Sequence, residues 1–272
     1  MVNDIKLTAA MTSNLLSLQG TQKLMDMTQG RLATGLKVNS AIDNPSSYFT
    51  AQGLNQRAGD LEGLLDSMGQ GIQTLKAADE GIKSITKLVE QAKSIVTQIS
   101  ESSATDTVKH TALIAQYDEV LSQIDDLAKD SSYKGKNLIA ATGDDLTVYF
   151  NEDLRATATN IEIKSVAATS TAIGMVALTY ATADAAMDGV LGAIEKLRGY
   201  ASDFGNAYSI VQNREDFTEN LINVLTEGAN KLTLADMNEE SANMLALQTR
   251  QQMGINSLSL ASQANQAVLK LF

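Results

Sequence analysis

From Leu61 onward an apolar residue returns at every seventh position, as Leu61, Met68, Leu75, Ile82, Val89 and Val96. A second line follows at Leu64, Gly71, Ala78, Ile85, Ala92 and Ile99, so the pattern is sustained for about six heptads. Seven-residue spacing keeps one stripe of an α-helix turned toward a partner, and at about 1.5 Å per residue this stretch makes a rod approaching 60 Å. Such a stripe cannot bury itself, so the chain must supply a second long helix. Downstream, Val190, Leu197, Phe204, Val211, Thr218, Leu225 and Leu232 also recur every seven, flanked by Met187, Ile194, Ala201, Tyr208, Ile222 and Ala229. The two stretches are expected to pack side by side.

A shorter helix is expected from Thr107 to Asp130, with Leu113, Ile114, Tyr117, Leu121, Ile124 and Leu127 forming one stripe. The brief polar link Glu101–Asp106 favours an antiparallel fold-back onto the first rod. With a single proline in 272 residues, little interrupts these helices. That proline marks a boundary: Asn44 before Pro45 is an N-cap followed by proline at the first helical position, so a new helix starts there. The preceding Gly35 is a helix stop, and the chain makes the corresponding crossing near Leu232–Asp236.

Between Gly135 and Asp184 the helical period disappears. Leu146, Val148 and Phe150 alternate with other residues, as do Ile161 and Ile163, and read as short strands of a hairpin. The Ala/Thr/Ser stretch from Ala167 to Ala183 reads as a loop. The fold class is therefore mainly α: long antiparallel helical rods in a coiled-coil-like bundle, with a small central β element.

The two ends share an unusual pattern. Met11, Leu18, Met25 and Leu32 fall every seven residues beside Leu15, Gln22, Gln29 and Leu36; Met244, Gln251, Leu258, Asn265 and Phe272 repeat likewise beside Leu247, Gly254, Ala261 and Val268. No charge occurs between Gln251 and Leu269, so this helix lacks a strongly solvated face. Each end reads as a helix that buries several faces only when many copies associate, with amides at seam positions fixing register.

Composition narrows the chemistry. There is no cysteine and one histidine, His110, which removes thiol nucleophiles, disulfides and zinc clusters. His110, near a helix start among Thr and Lys, reads as a solvated or capping residue. The acidic pairs Asp125–Asp126 and Asp144–Asp145 read as solvent-facing, and Glu239–Glu240 as favourable charge at a helix N-terminus. No phosphate loop, metalloprotease helix or nucleophile elbow occurs, so no catalytic, cofactor or metal site is expected. A formal net charge of −11 is the wrong sign for gripping nucleic acid or an anionic membrane. The charge-free runs are too polar for a membrane span, and residues 7–22 are too polar for a cleavable signal.

Two stretches carry a family resemblance. RLATGLKVNSAIDNPSSYFTAQGL, from Arg31, resembles the N-terminal signature of bacterial flagellins, and LADMNEESANMLALQTRQQMGINSLSLASQANQAVLKLF resembles their C-terminus. The similarity runs in order over roughly residues 1–140 and 185–272. It implies an inner coiled-coil domain from residues 1–43 with 233–272, and an outer rod domain from residues 44–232 with a small β element at about 140–184. Carried over by position, Met11, Leu15, Leu18, Met25, Leu32, Met244, Leu247, Leu258, Val268 and Phe272 belong to the assembly seam. The resemblance further implies a short form without large surface domains, self-polymerisation into the flagellar filament, and export through the flagellar type III apparatus. It also implies a chaperone on the C-terminal helix, and hook-associated and cap proteins as partners. A hook–filament junction protein, or a coiled-coil secretion or adhesin component, is the alternative.

Overall fold

A computed structural model describes residues 9–152 and 159–269. Its elements in chain order are α1 (Ala9–Thr34), α2 (Pro45–Ser100), α3 (Thr107–Asp130), β1 (Leu146–Tyr149), β2 (Asn160–Ile163), α4 (Ser170–Ile173), α5 (Ala183–Thr233) and α6 (Met237–Leu269). The chain divides into two compact units, residues 57–224 and residues 1–56 with 225–272, and the divisions fall inside α2 and α5.

In the unit of residues 57–224, the heptad lines of α2 and α5 build the core. Leu61, Met68, Leu75, Ile82, Val89 and Val96 are buried, as are Val190, Leu197, Phe204 and Val211. One cluster joins them, Leu61 apart, to Leu113, Tyr117, Val120 and Ile124 of α3 and to Leu146, Val148 and Ile163 of the hairpin. Lys76 lies over the ring of Tyr208 at 5.7 Å and Gly69 lies beside Glu215, so α2 and α5 run antiparallel. The turn between α2 and α3 is closed by His110. Contrary to the solvated role read from its neighbours, this imidazole is buried, bonds Ser102 Oγ at 2.6 Å and stacks on Tyr180 with centroids 4.8 Å apart. Ser102 Oγ also donates to Ile99 O, in the last turn of α2.

β1 and β2 form an antiparallel pair in the register Leu146↔Ile163 and Val148↔Ile161, with Leu146 and Val148 turned inward. Two carboxylates organise this region: Asp145, exposed as read, and Asp125, which is half-buried. Asp145 accepts from Ser165 N and Oγ, and those bonds hold its pKa below the ordinary carboxylate value. Asp125 accepts from Ser170 N at 2.7 Å and Ser170 Oγ at 3.1 Å, tying α3 to the start of α4. Part of the Ala167–Ala183 stretch, read as loop, is therefore helical: α4 is a single turn ended by Gly174 at φ 99. The turn after α3 uses Lys134 at φ 49 and Gly135 at φ 82, while Asn137 Nδ2 donates to the terminal carbonyls of Ala128 and Lys129.

The other unit holds α1, α6, the beginning of α2 and the end of α5. Asn44 Oδ1 accepts from Ser47 N at 3.1 Å, capping α2 ahead of Pro45. Gly35 at φ 72 ends α1, and the connector after it pairs with the crossing after α5. Lys37 N donates to Thr233 O at 2.8 Å, Ala235 N donates to Gly35 O at 2.9 Å, and Leu36 bridges Leu234. Leu225, at the start of this part of α5, is buried. Asp43 accepts three bonds from Asn39 and Ser40, so its carboxyl is also held below the usual range, and the connector is a fixed turn.

Candidate assembly surface

α1 and α6 pair antiparallel, and three polar contacts fix one register. Asn14 Nδ2 donates to Ser257 Oγ at 3.2 Å, Gln251 Nε2 donates to Gln22 Oε1 at 2.9 Å, and Arg31 Nη1 meets Glu240 Oε1 at 2.8 Å. Glu240 is buried there. It lies on the heptad line that continues to Leu247, Gly254 and Ala261, which sequence reading, seeing only a helix-terminus charge, passed over. A buried charge needs its partner, so this pair strongly disfavours a slipped register.

The side chains that face across the pair are Met11, Leu18, Met25 and Leu32 from α1 and Met244, Leu247 and Leu258 from α6; Leu247 is buried and the rest are half-buried. The second line on α1 differs from the one expected. Asn14, Thr21 and Thr28 occupy it, one residue earlier in each turn than Leu15, Gln22 and Gln29, and Leu15 is exposed. Close approach explains the shift, since a methyl group at Gly254 would lie 2.6 Å from Leu18 Cδ2, and only small polar side chains fit beside such a contact. Phe272 lies outside the described residues, as does the side chain of Val268.

What the pair leaves uncovered is its main property. Leu16 is 70% exposed, and Leu245 and Leu260 are each 66% exposed; Leu24, Met27 and Ile255 are exposed too. These residues lie on several sides of the two helices, which accordingly lack a single apolar stripe. α1 carries three charged residues in 26, Lys23, Asp26 and Arg31. A helix pair surrounded by apolar side chains and nearly free of charge is unlike the solvated surface of a monomer and has the composition of an interface.

No titratable cluster competes as a site: among the described residues no group of three or more His, Cys, Asp or Glu converges to hold a metal ion. No described helix is long and apolar enough to cross a membrane.

The profile of the bacterial flagellin N-terminal helical region matches residues 5–144, and that of the C-terminal helical region matches residues 187–272. The chain belongs to the bacterial flagellin family. Among its relatives, a flagellin of Brucella melitensis biotype 1 is 28% identical over 100% of this chain and 98% of its own. Flagellin FljK of Caulobacter vibrioides is 28% identical over 100% of this chain and 99% of its own. A crystal structure of Bacillus cereus flagellin superposes with a TM-score of 0.48 at 16% identity, over 55% of this chain and 86% of that one. As a flagellin of this short form, the chain is a structural subunit of the bacterial flagellar filament, the propeller of motility.

Proposed function

We propose that residues 1–43 with 233–272 form the inner assembly domain, and that subunits polymerise by burying the outward faces of the α1/α6 pair against other copies. The exposed side chains Leu16, Leu245 and Leu260 on a charge-poor pair support this most directly. Burying one leucine stabilises by about 2 kcal/mol, and three per subunit repeated along a polymer favour association over solvation. Residues 44–232 form the outer rod domain.

The chain reaches the cell exterior through the flagellar type III export apparatus, its C-terminal helix held by an export chaperone that covers the faces later buried in the filament. Hook-associated and cap proteins meet the two ends of the polymer. The role is mechanical and uses no catalysis. A chain lacking residues 1–36, offered short filament seeds, is expected not to elongate while the full chain grows long filaments visible by negative-stain electron microscopy. Leu260→Asp is expected to stop growth as well, because it places a charge where apolar contacts form. Normal elongation of both altered chains would overturn the reading.

A further inference from the structure

Oxidisable side chains are distributed unevenly along the chain. With no cysteine and no tryptophan present, the thioethers of ten methionines are the groups most open to attack by a peroxide. Six of them, Met11, Met25, Met27, Met237, Met244 and Met253, lie in α1 and α6. In the unit of residues 57–224, Met68 and Met175 are buried and Met187 is half-buried against the core. Among the described residues the exposed methionines are Met27, Met237 and Met253, at 52%, 45% and 58%, and all three belong to the unit that holds α1 and α6. Met27 follows the exposed Leu24 by three residues, and Met253 precedes the exposed Leu260 by seven, so each of these thioethers shares a helix side with an outward leucine. Met11, Met25 and Met244 face across the pair and are half-buried, which shields them in part.

We infer that Met27, Met237 and Met253 are oxidation sites through which a peroxide controls filament growth. The inference rests on the polymerisation through α1 and α6 proposed above, and it adds a chemical control of that surface. Hydrogen peroxide transfers one oxygen to the methionine sulfur: the O–O bond breaks, an S–O bond forms, the sulfur is oxidised by two electrons and the peroxide leaves as water. The product is a sulfoxide, which puts a strong hydrogen-bond acceptor where an apolar group stood. A free subunit tolerates the change, because water solvates the new oxygen. Burial among the apolar faces of other subunits strips that water away, so the oxidised chain associates less readily. The same burial protects a subunit already in the polymer, since an oxidant must reach the sulfur to react. Control therefore falls on the unassembled chain, while the bundle, with Met68 and Met175 sealed, keeps its fold.

Hydrogen peroxide treatment of the full-length monomer, followed by seeded growth, tests this. Mass spectrometry should find sulfoxide at Met27, Met237 and Met253 while Met68 and Met175 stay reduced, and helical circular dichroism and the bundle melt should be retained. The critical concentration for growth should rise about tenfold. Methionine sulfoxide reductases with dithiothreitol should restore growth, the oxygen leaving as water while two thiols become a disulfide. A chain carrying Met27→Leu, Met237→Leu and Met253→Leu, compared with itself before and after peroxide, should show no rise. In preformed filaments the three methionines should oxidise more slowly than in the monomer. Undiminished growth of a chain carrying the three sulfoxides, no recovery once the sulfoxides are removed, an equal rise in the leucine variant, or equal oxidation in filament and monomer would overturn the inference. Growth of the untreated chain would still stand in each of those cases, and with it polymerisation. Failure of the untreated chain to grow from seeds would overturn both.

Discussion

The α2/α3/α5 bundle and the α1/α6 pair use the same seven-residue repeat with opposite results. In the bundle the repeat is satisfied within one chain: Met68, Ile85, Val89, Val96, Ile124 and Leu197 are sealed from solvent by α2, α3, α5 and the hairpin. In the pair the facing residues Met11, Leu18, Met25, Met244 and Leu258 remain half-buried, and leucines stand exposed on the outer sides. Two helices can cover only one stripe of each other, whereas three helices and a sheet enclose a core. The bundle thus closes its own core, whereas the pair leaves apolar faces open, and in the proposed assembly other subunits cover them.

The largest effect that separates the two regions is expected from Val89→Asp. A carboxylate inside this buried apolar cluster costs on the order of 5 kcal/mol, much of the stability of an ordinary domain. Circular dichroism should show the cooperative melt of the bundle lost. Leu258→Asp breaks the other side of the comparison. Seeded growth should disappear, yet the melt of the bundle should keep its midpoint within about 1 °C, since a site outside its cooperative unit adds nothing to its unfolding free energy. A lowered bundle midpoint would show that the pair stabilises the bundle and would end the distinction.

The same contrast governs how far the sequence could be read. In α2 every position of the repeat is apolar or small and the opposite face is charged, so period and face are both unambiguous; α3 was legible to its terminal residues, Thr107 and Asp130, for the same reason. Along α1 apolar and amide residues occur on all sides. The eye follows Leu15 because it is the more apolar choice, but the packed line is Asn14, Thr21 and Thr28, selected by the close approach of Leu18 and Gly254. His110, Asp125 and Glu240 were read incompletely for another reason: each is buried or engaged by a residue distant in sequence, Tyr180, Ser170 and Arg31, and local composition carries no trace of such partners.

Smaller substitutions sharpen the comparison through packing alone. Gly254→Ala inserts a methyl group 2.6 Å from Leu18 Cδ2 and 3.0 Å from its Cγ, forcing α1 and α6 apart or Leu18 out of its rotamer. Overpacking of this kind costs about 1–3 kcal/mol, which should appear as a rise in the critical concentration for growth with no change in the bundle melt. Gly228→Ala serves as the control, because its methyl group would meet Leu54 Cδ1 at 3.5 Å, an ordinary contact, and growth should be unaffected.

The smallest expected effect belongs to the bundle and is seen only at high pH. Tyr117 is fully buried and donates its hydroxyl to Val176 O at 3.1 Å. Burial, with a lesser contribution from the charge of Asp118, raises its pKa from 10.0 to about 12. A raised folded-state pKa means that the neutral phenol is favoured by folding. Its contribution is therefore fully present below pH 10, where the unfolded chain is also protonated, and fades as pH climbs toward 12. Tyr117→Phe removes one hydrogen bond, so at neutral pH it should lower stability by about 1 kcal/mol. Between pH 10 and 12 the altered bundle should lose less stability than the unaltered one, and the two curves should converge. Parallel curves in denaturant titrations across that window would mean that another group carries the alkaline transition, whereas an alkaline loss confined to filament growth would assign it to contacts between subunits.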